Sequence, residues 1–290
     1  MNIGVIGTEG GWSSEMLADA VASRTGKRLL ASMEKVRLDL PSGRVFFQGM
    51  DLSQCDALVI KKIGARYSPD LLDRLEILRF LEERGMPVMS SAISILRVLD
   101  RLACTITMQL AGVPMPRTTI TEDVEEALSA VAGYGRAVFK PLYTSKARGM
   151  FILEDGPDAR AAIEEYRAEH PIMYIQKAID RLDSDLGVTF LGGDYVTTYA
   201  RCKTNGAWNT TTASGGKYEP FDPPREVIDL AYKAQALFNL DFTSVDVALT
   251  DDGPFVFEVS AFGGFRGLLD ARGIDAAALY ADYVIARISK

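Results

Sequence analysis

Two carboxylates, those of Asp246 and Glu258, give the clearest chemical signal in this sequence. They lie within residues 242–265, FTSVDVALTDDGPFVFEVSAFGGF, on two runs of β-branched and aromatic residues. A turn signal over residues 251–253 separates the runs and predicts a β-hairpin with a three-residue loop. This loop places Asp246 directly opposite Glu258 on one face of the hairpin.

The same loop leaves the other face of the predicted hairpin apolar. It pairs three sets of apolar residues across the strands: Val245 with Val259, Val247 with Phe257, and Leu249 with Phe255. A two-residue loop shifts the pairing and mixes apolar with charged residues. The hydrophobic pattern therefore favours the three-residue loop.

Carboxylates that lie directly opposite each other in a hairpin repel. A hard cation such as Mg²⁺ between Asp246 and Glu258 removes this conflict, and Mg²⁺ sites commonly use one or two carboxylates together with substrate phosphates. A solvated acidic face on an edge hairpin is the alternative interpretation. The following pair, Gly263 and Gly264, favours a binding site because backbone without side chains can approach a ligand closely.

The composition of the 290-residue chain limits the classes of function. An apolar share of 48% is typical of a globular protein that buries a sizeable core. The net charge of −7 argues against broad binding to nucleic acid or to an anionic membrane. No apolar run reaches the roughly 18 residues of a membrane span, and the N-terminus lacks the basic region of a signal peptide. We therefore expect neither nucleic acid nor membrane as a partner.

The few cysteine and histidine residues exclude several catalytic classes. Cys55, Cys104 and Cys202 are isolated and odd in number, without metal-binding spacing, which indicates a reducing, cytoplasmic setting. His170 is the only histidine, and because it precedes Pro171 at a predicted helix end we expect it at the surface. A single histidine excludes Ser-His-Asp catalysis and multi-histidine metal sites.

The elements that must position the carboxylates begin with a small α/β unit over residues 1–95. Short apolar strands alternate with helices there, which predicts a parallel sheet. The strand over residues 56–63, DALVIKKI, ends in Lys61 and Lys62. Because open α/β sheets bind ligands at the carboxyl ends of their strands, we expect these lysines near a ligand.

The middle of the chain carries further basic residues. A helix predicted over residues 95–110 contains Arg101, and an apolar strand over residues 137–141 contains the single charge Lys140. The loop over residues 142–149, LYTSKARG, is rich in small and basic residues. A strand lysine followed by a flexible basic loop suits nucleotide phosphates, and an ordinary exposed hairpin is the alternative.

The last third of the chain is predicted to be mainly antiparallel. Strands over residues 186–191 and 195–201 form a predicted hairpin across Gly192 and Gly193. A polar loop follows over residues 206–216, and a helix over residues 275–288 closes the chain. The sequence therefore predicts an α/β fold that becomes α+β in its C-terminal part.

Six stretches from about residue 56 onwards together resemble the ATP-grasp carboxylate–amine ligases, specifically the RimK-like group that includes glutamate ligases. Their sequences are DALVIKKIG, LDRLACTITMQLAGVPMPRT, AVFKPLYTSKARG, YIQKAIDRLDSDLGVTFLGGDYV, SVDVAL and FVFEVSAFGGFRGL. The match depends on their order and spacing rather than on one motif. It implies an ATP-grasp fold preceded by a small α/β domain, with lobes over residues 1–95, 96–180 and 181–290 and ATP between the last two.

The resemblance also implies a reaction and its substrates. In this family ATP phosphorylates a carboxylate to an acyl phosphate, which an amine then attacks. The partners would be a small-molecule or peptide carboxylate and an amine, for example an amino acid such as glutamate. The protein's part in such chemistry is mostly positioning and charge neutralisation. A homo-oligomeric state stays open.

The nucleotide-binding residues that the resemblance implies are, in chain order, Arg101, Lys140, Ser145, Lys146, Gly149, Gln176, Lys177, Ala178 and Asp185. The first two would contact the phosphates of ATP, and the next three belong to a loop that would close over the triphosphate. The following three would form the hinge against adenine, and the last would lie beside the ribose.

The resemblance places the reacting groups farther along the chain. Arg201 and Lys203 would face the transferred phosphate and the acyl intermediate. Asp246 and Glu258 would hold Mg²⁺, or alternatively Mn²⁺, in agreement with the pattern of the hairpin. Ser260 stands at the position of a third metal ligand.

Six positions depart from the family's pattern: Lys62, Lys177, Gly187, Asn209, Thr211 and Ser260. Gly187 stands in place of an arginine, and Ser260 replaces an asparagine whose carbonyl oxygen a serine lacks. Because these changes surround the phosphates and the acceptor, two other functions stay open. One is an ATP-grasp phosphotransferase that forms no amide, and the other is a nucleotide-binding protein without catalysis.

Overall fold

The computed structural model of the chain describes residues 1–145, 147–179, 182–203 and 216–289. The predicted loop over residues 206–216 lies almost entirely outside the described residues, as do Lys146, Asn209 and Thr211. No helix among the described residues is both long and apolar enough to cross a membrane. The described strands form four sheets, and helices pack against them.

The first sheet is parallel, as predicted for the start of the chain. Its strands are β1 (Ile3–Ile6), β2 (Leu30–Ala31), β6 (Ala57–Ile60) and β7 (Val88–Met89). They lie in the order β2-β1-β6-β7, with helices α1 (Trp12–Thr25) and α2 (Asp70–Glu83) beside them. Every residue of β1 and β6 is buried, as expected for parallel strands that are covered on both faces.

A small antiparallel sheet is inserted between β2 and β6. It contains β3 (Val36–Asp39), β4 (Arg44–Phe47) and β5 (Met50–Asp51). Its buried residues Val45 and Phe47 join the core beneath the parallel sheet.

The single helix predicted over residues 95–110 is wrong, because two helices occupy this region. They are α3 (Ala92–Leu99) and α4 (Arg101–Leu110), separated by Asp100. The Asp100 side chain accepts hydrogen bonds from the Leu102 and Ala103 N–H groups, at 2.9 and 3.2 Å. This N-cap begins a new helix, so Arg101 is the first residue of α4.

The second large sheet is antiparallel and lies in the middle of the chain. Its strands are β8 (Thr118–Thr121), β9 (Arg136–Phe139), β10 (Phe151–Glu154) and β11 (Met173–Lys177), in the order β10-β9-β11-β8. Helices α5 (Val124–Tyr134) and α6 (Ala159–Glu169) pack on it around Phe139, Ile163 and Ile175. β8 has no apolar alternation and is absent from the predicted elements. His170 is only half exposed, because its ring packs 4.7 Å from that of Tyr166.

The third large sheet has five antiparallel strands and carries the predicted carboxylates. Its strands are β12 (Ser184–Leu191), β13 (Asp194–Cys202), β14 (Lys217–Pro220), β15 (Phe242–Thr250) and β16 (Gly253–Ser260), in the order β14-β13-β12-β15-β16. Helices α7 (Arg225–Ala236), α8 (Phe265–Arg272) and α9 (Ala276–Ile288) pack around it. The sequence patterns do not predict α8.

The predicted three-residue loop of the β15–β16 hairpin is wrong, because only Asp251 and Asp252 lie between the paired residues Thr250 and Gly253. Two predicted pairs are therefore also wrong, Val247/Phe257 and Leu249/Phe255. The structure instead pairs Val247 with Val256, Ala248 with Phe255, and Leu249 with Pro254.

A β-bulge corrects the register of this hairpin before it reaches the carboxylates. Phe257 is the extra residue, since Val247 pairs with Val256 and Asp246 pairs with Glu258. The predicted pairs Asp246/Glu258 and Val245/Val259 are therefore confirmed. Bulges of this kind are common beside active sites, where they change the direction of a side chain.

Lys61 does not reach the surface, because its side chain is inside the protein and only 2% exposed; whether it lies near a ligand stays a prediction. Its Nζ atom donates hydrogen bonds to the main-chain oxygens of Phe262 and Gly263, at 2.6 and 2.7 Å. The carboxyl end of β6 is thereby joined to the segment that follows β16. Lys62 is half-buried, with its Nζ atom 4.9 Å from the centre of the Phe262 ring.

Candidate active site

Asp246 and Glu258 lie opposite each other on β15 and β16. The Oδ1 atom of Asp246 is buried and accepts no hydrogen bond from the part of the chain that the structure describes. An unpartnered buried oxygen is costly, so this atom marks a place where a cation or donor from outside would bind. The Glu258 side chain is 47% exposed, so the pair is open to solvent on one side.

Arg201 on β13 joins Asp246 to Asp185 on β12. Its Nη2 atom lies 2.8 Å from Asp246 Oδ2, and its guanidinium forms a two-point contact with the Asp185 carboxylate. Burial raises the pKa of Asp246 to about 7; Arg201 opposes this rise, while Glu258 and Asp185 add to it. The predicted reacting residue Arg201 is therefore held by two carboxylates, and Asp185 faces it.

These residues fit a hard divalent cation. Mg²⁺ prefers oxygen ligands and usually completes its shell with water and substrate phosphates. Within the described residues, no three His, Cys, Asp or Glu side chains cluster into a self-sufficient metal site. Ser260 follows at the end of β16, and its main-chain oxygen accepts a hydrogen bond from Thr243 Oγ1 at 2.6 Å. The Ser260 hydroxyl is the group left to contact a cation or its water.

Arg101 connects this pair to the predicted phosphate loop. Its side chain is only 10% exposed, and its Nη1 atom lies 3.3 Å from Glu258 Oε2. Its Nε and Nη2 atoms donate to the main-chain oxygens of Pro141 and Thr144, both at 3.2 Å. The cap at Asp100 fixes the start of α4 and so directs Arg101 into this position.

Lys140 immediately follows β9 and points towards the same region. Its Nζ atom donates a hydrogen bond to Gln176 Oε1 and lies 5.3 Å from the centre of the Phe257 ring. Burial, with the Arg101 charge nearby, lowers the pKa of Lys140 to about 7. Bulging Phe257 out of the ladder thus places its ring beside this lysine. Because the surroundings of Lys140 disfavour its positive charge, an anionic ligand would stabilise its ammonium group.

The three predicted hinge residues differ in exposure. The Gln176 side chain is 2% exposed, and its Nε2 atom donates to Thr118 Oγ1 at 3.0 Å. Lys177 is exposed and Ala178 is buried. The N–H groups of Lys177 and Ala178 donate to main-chain oxygens of neighbouring strands, at 2.8 and 2.9 Å. Gln176 therefore contacts both Lys140 and Thr118, whereas the N–H groups of Lys177 and Ala178 are bonded to neighbouring main chain.

Two of the predicted loop residues, Ser145 and Gly149, can be placed. The Ser145 main-chain oxygen and hydroxyl accept hydrogen bonds from the Arg148 side chain, both at 3.1 Å. Gly149 is exposed and has a positive φ of 68°, which its lack of a side chain permits. The loop is therefore held mainly by its own polar contacts and by Arg101.

Lys203 lies apart from the other predicted reacting residue. Its Nζ atom is 3.6 Å from the Asp183 carboxylate, and Asp183 is 91% exposed. No contact between Lys203 and Asp246 or Glu258 occurs among the described residues. The structure thus brings together Arg101, Lys140, Asp185, Arg201, Asp246 and Glu258, and it leaves Lys203 at the edge.

Two tyrosines near this site escape the sequence patterns. Tyr67, from the parallel-sheet lobe, lines a cavity with Arg101, Ser145 and Glu258, and burial raises its pKa above its ordinary range. Tyr199 on β13 lies opposite Gly187, where a Cβ atom would come within 2.4 Å of its ring. The glycine at position 187 is the one signal that a bulky partner lies across the hairpin.

Comparison with known proteins identifies the family. The chain matches the RimK-like ATP-grasp domain over residues 98–284, which is more than half of its length. The tetrahydromethanopterin:alpha-L-glutamate ligase of Methanosarcina acetivorans is 26% identical over 261 residues, which cover 80% of this chain and 81% of that protein. A probable alpha-L-glutamate ligase of Aliivibrio salmonicida is 24% identical, over 98% of this chain and 95% of that protein.

Solved structures share the fold. The ATP-grasp ligase PsnB complexed with a minimal precursor has a TM-score of 0.78 and 19% identity, with 99% of both chains covered. A RimK domain ATP-grasp protein from Sphaerobacter thermophilus has a TM-score of 0.75 and 23% identity, over 98% of this chain and 99% of that one. The predicted ATP-grasp fold is confirmed, and the chain belongs to the RimK-like ATP-grasp family.

Proposed function

We propose that this protein is an ATP-dependent carboxylate–amine ligase that joins an amino acid to a small-molecule or peptide carboxylate. The facing pair of Asp246 and Glu258, with an unpartnered buried oxygen, carries the proposal. Arg101 and Arg201 border this pair, at 3.3 and 2.8 Å from its carboxylates. Acidic ligands for a cation beside fixed positive charges suit two anionic substrates, a triphosphate and a carboxylate.

The nucleotide would lie between the middle sheet and the five-stranded sheet. Lys140 would contact its phosphates, with Arg101 behind and the loop of Ser145 and Gly149 above. The outer edge of Lys177 and Ala178 would meet adenine. Support comes from the lowered pKa of Lys140, since a phosphate would restore the favourable environment that its ammonium lacks.

The reaction would proceed in two balanced steps. An oxygen of the carboxylate substrate attacks the γ-phosphorus of ATP, so that a new P–O bond forms, the bond to the β-phosphate oxygen breaks, and ADP leaves. The amine nitrogen then attacks the acyl carbon and loses a proton, and the C–O bond to phosphate breaks. The products are an amide, ADP and inorganic phosphate.

The chain's own residues would position these groups and neutralise their charge. Asp246 and Glu258 would hold Mg²⁺ or Mn²⁺, with the Ser260 hydroxyl or a water beside it, and the bound ion would supply charge neutralisation at the phosphates. Arg201, fixed by Asp185, would face the transferred phosphoryl group. Lys203 would contribute only if the carboxylate substrate extends to the edge of the site.

An amino acid is proposed as the amine because of the relatives' names. Two relatives described above are named alpha-L-glutamate ligases. The structures of PsnB and of the macrocyclase MdnC are described as complexes with precursor peptides. These names support a carboxylate acceptor that is either a small molecule or a peptide.

A coupled assay tests the proposal. ADP release is measured with a panel of small-molecule and peptide carboxylates, with and without L-glutamate and other amino acids as amines, in the presence of Mg²⁺. We expect release that needs both a carboxylate and an amine, together with a product whose mass is the sum of the two minus water.

The same assay distinguishes the other two functions. ADP release that needs the carboxylate but not the amine would indicate a phosphotransferase. Binding of ATP without ADP release for any pair would indicate a nucleotide-binding protein without catalysis. Either result would contradict the ligase.

A further inference from the structure

The turn between β16 and α8, residues 261–264, is fixed by a lysine from the other end of the chain. Lys61 lies at the carboxyl end of β6, and its Nζ atom donates to the main-chain oxygens of Phe262 and Gly263. The same atom lies 3.7 Å from the centre of the Phe265 ring. The centre of the Phe242 ring on β15 lies farther away, 5.6 Å from Nζ, so the nearest contacts of Nζ are with the turn and with the first residue of α8.

This contact sets the direction of two N–H groups. The carbonyl oxygen of Phe262 and the N–H of Gly263 belong to one peptide unit, as do the oxygen of Gly263 and the N–H of Gly264. Both units are trans, so each N–H points opposite to its carbonyl. Because both oxygens face Lys61, both N–H groups face away from it. Neither N–H donates a hydrogen bond to any group in the described ranges.

The second observation at this turn is the hydroxyl of Tyr199. Tyr199 is 2% exposed, and no hydrogen bond is among the interactions of its hydroxyl with the residues for which coordinates are described. A Cβ atom at Gly264 would lie 2.9 Å from this hydroxyl, and one at Gly267 would lie 2.4 Å from the ring. Small residues at positions 264 and 267 thus leave room for the hydroxyl of this buried tyrosine beside the exposed Gly264.

Three donors therefore meet where α8 begins. They are the N–H groups of Gly263 and Gly264 and the hydroxyl of Tyr199. Gly264 is the N-cap of α8 and supplies no side chain that would cap the first turn, so the positive end of the helix dipole adds to them. Successive N–H groups that point the same way form a concavity for an anion.

We infer that Lys61 is a positioning residue, which orients the Gly263 and Gly264 N–H groups to bind a negatively charged oxygen of the carboxylate substrate. The inference rests on the proposed ligase function, because that reaction brings a carboxylate to the end of β16. Ser260, only three residues before Gly263, stands at the predicted metal position, so the turn lies beside the reacting groups.

A purely structural role accounts poorly for a lysine here. Burial lowers the pKa of Lys61 well below its ordinary value, and the neighbouring Lys62 charge adds to this effect. An apolar side chain would fill the space against Phe242 and Phe265 without this cost. An apolar residue cannot donate the two hydrogen bonds that fix the carbonyl groups of Phe262 and Gly263.

The test compares Lys61→Met, Tyr199→Phe and the control Ser90→Ala in the amide-forming assay. Lys61→Met keeps length and apolar contact but loses both donors. Ser90→Ala removes another contact between the same parts of the chain, the 2.7 Å hydrogen bond from the Asp241 N–H to Ser90 Oγ, and leaves the hydrogen bonds of Lys61 to the turn in place. We expect KM for the carboxylate to rise at least tenfold in Lys61→Met and several-fold in Tyr199→Phe. KM for Mg–ATP should stay within twofold, and Ser90→Ala should lower the melting temperature without changing either KM.

A second measurement uses the wild-type protein and covers the case in which Lys61→Met does not fold. Hydrogen exchange of residues 261–267 is measured with Mg–ADP alone, with the carboxylate substrate, and with its methyl ester. The acid should protect the Gly263 and Gly264 amides and the ester should not. An unchanged carboxylate KM in Lys61→Met, equal rises for the acid and ATP, or absent protection would overturn the inference. Absence of amide formation by the wild-type protein would instead reject the proposed function.

Discussion

The Nη1 atom of Arg101 lies 3.3 Å from the Oε2 atom of Glu258, and this contact joins the start of α4 to the second strand of the hairpin. Arg101 also donates to the main-chain oxygens of Pro141 and Thr144. One side chain therefore fixes the expected phosphate loop relative to the expected metal carboxylate. Changes at Glu258 should act on charge without dismantling this arrangement, because Arg101 keeps its two main-chain partners.

Glu258→Gln is expected to reduce Mg²⁺-dependent ATP turnover by at least about 100-fold, a loss typical for removal of one electrostatic group from an active site. The fold should persist, because the ion pair with Arg101 is half exposed on the Glu258 side and is worth at most about 1 kcal/mol. ADP release is measured over a range of Mg²⁺ concentrations. Asp252→Asn, the same change at the exposed tip of the hairpin, should be silent. Wild-type turnover by Glu258→Gln would mean that the hairpin is only an acidic edge.

Arg201→Met should destabilise the protein strongly. It leaves the buried carboxylates of Asp185 and Asp246 side by side without their cation, and breaking a buried ion pair typically costs about 3–5 kcal/mol. Urea unfolding without metal measures the difference. The matched control is Arg225→Met, which removes an exposed i,i+4 pair with Asp229 worth at most about 0.5 kcal/mol. If Arg201→Met lowers the free energy of unfolding no more than Arg225→Met does, Arg201 does not stabilise the two buried carboxylates as proposed.

Lys140→Met is expected to weaken binding of Mg–AMPPNP more than tenfold, because it removes the ammonium that faces Gln176 and Phe257. Calorimetry measures the dissociation constant directly. Lys177→Met, a lysine on the same sheet that is exposed, serves as the control and should change affinity less. Equal affinity for the wild type and Lys140→Met would reject the assignment of this residue to the phosphates.

The pH dependence of nucleotide binding follows from the same lysine. Burial lowers the pKa of Lys140 from 10.5 to about 7. Between these values the unfolded chain holds the proton and the folded, nucleotide-free protein releases it, so this group adds stability as the pH rises through that window. Phosphates favour the ammonium, so binding at pH 8 should take up a proton. The calorimetric enthalpy should therefore depend on the ionisation enthalpy of the buffer, and this dependence should vanish in Lys140→Met.

The sequence pattern predicts the Asp246/Glu258 pair correctly although the predicted loop is wrong. The alternation of apolar and charged residues reports which face each side chain occupies, and that information survives a bulge. The number of residues in the turn cannot be deduced from this alternation. Phe257 is an extra residue in β16, and no local sequence preference reveals it. Its position depends on the packing of the whole sheet.

The ion pair between Arg201 and Asp185 could not be predicted from the sequence either, because it also depends on a shift in strand register. The turn at Gly192 and Gly193 leaves Leu191 opposite Asp194, and an unbroken ladder from there would put Asp185 opposite Ala200. The register shifts between Thr189 and Phe190, which brings Asp185 opposite Arg201. The family resemblance predicts that Asp185 and Arg201 both serve the site, but it does not predict that they pair.

Deleting Phe257 tests the bulge directly. Without this residue, the pair Val247/Val256 is followed at once by Asp246/Glu258 in a regular ladder, so every remaining side chain keeps its face. We expect a folded protein whose Mg²⁺-dependent binding of AMPPNP is retained. Affinity should fall only by the lost contact between the Phe257 ring and the Lys140 Nζ atom, 5.3 Å apart, which is worth about 0.5–1 kcal/mol at a partly exposed site.

The matched control is deletion of Ala248 from the partner strand. It removes a residue from the regular part of the ladder, so Asp246 is turned towards the apolar side while Glu258 stays on the other. We expect this variant to lose both stability and Mg²⁺-dependent binding, measured by thermal unfolding and calorimetry. If deletion of Phe257 is as damaging as deletion of Ala248, the bulge is needed for the pairing of the two carboxylates and does not merely add a ring beside Lys140.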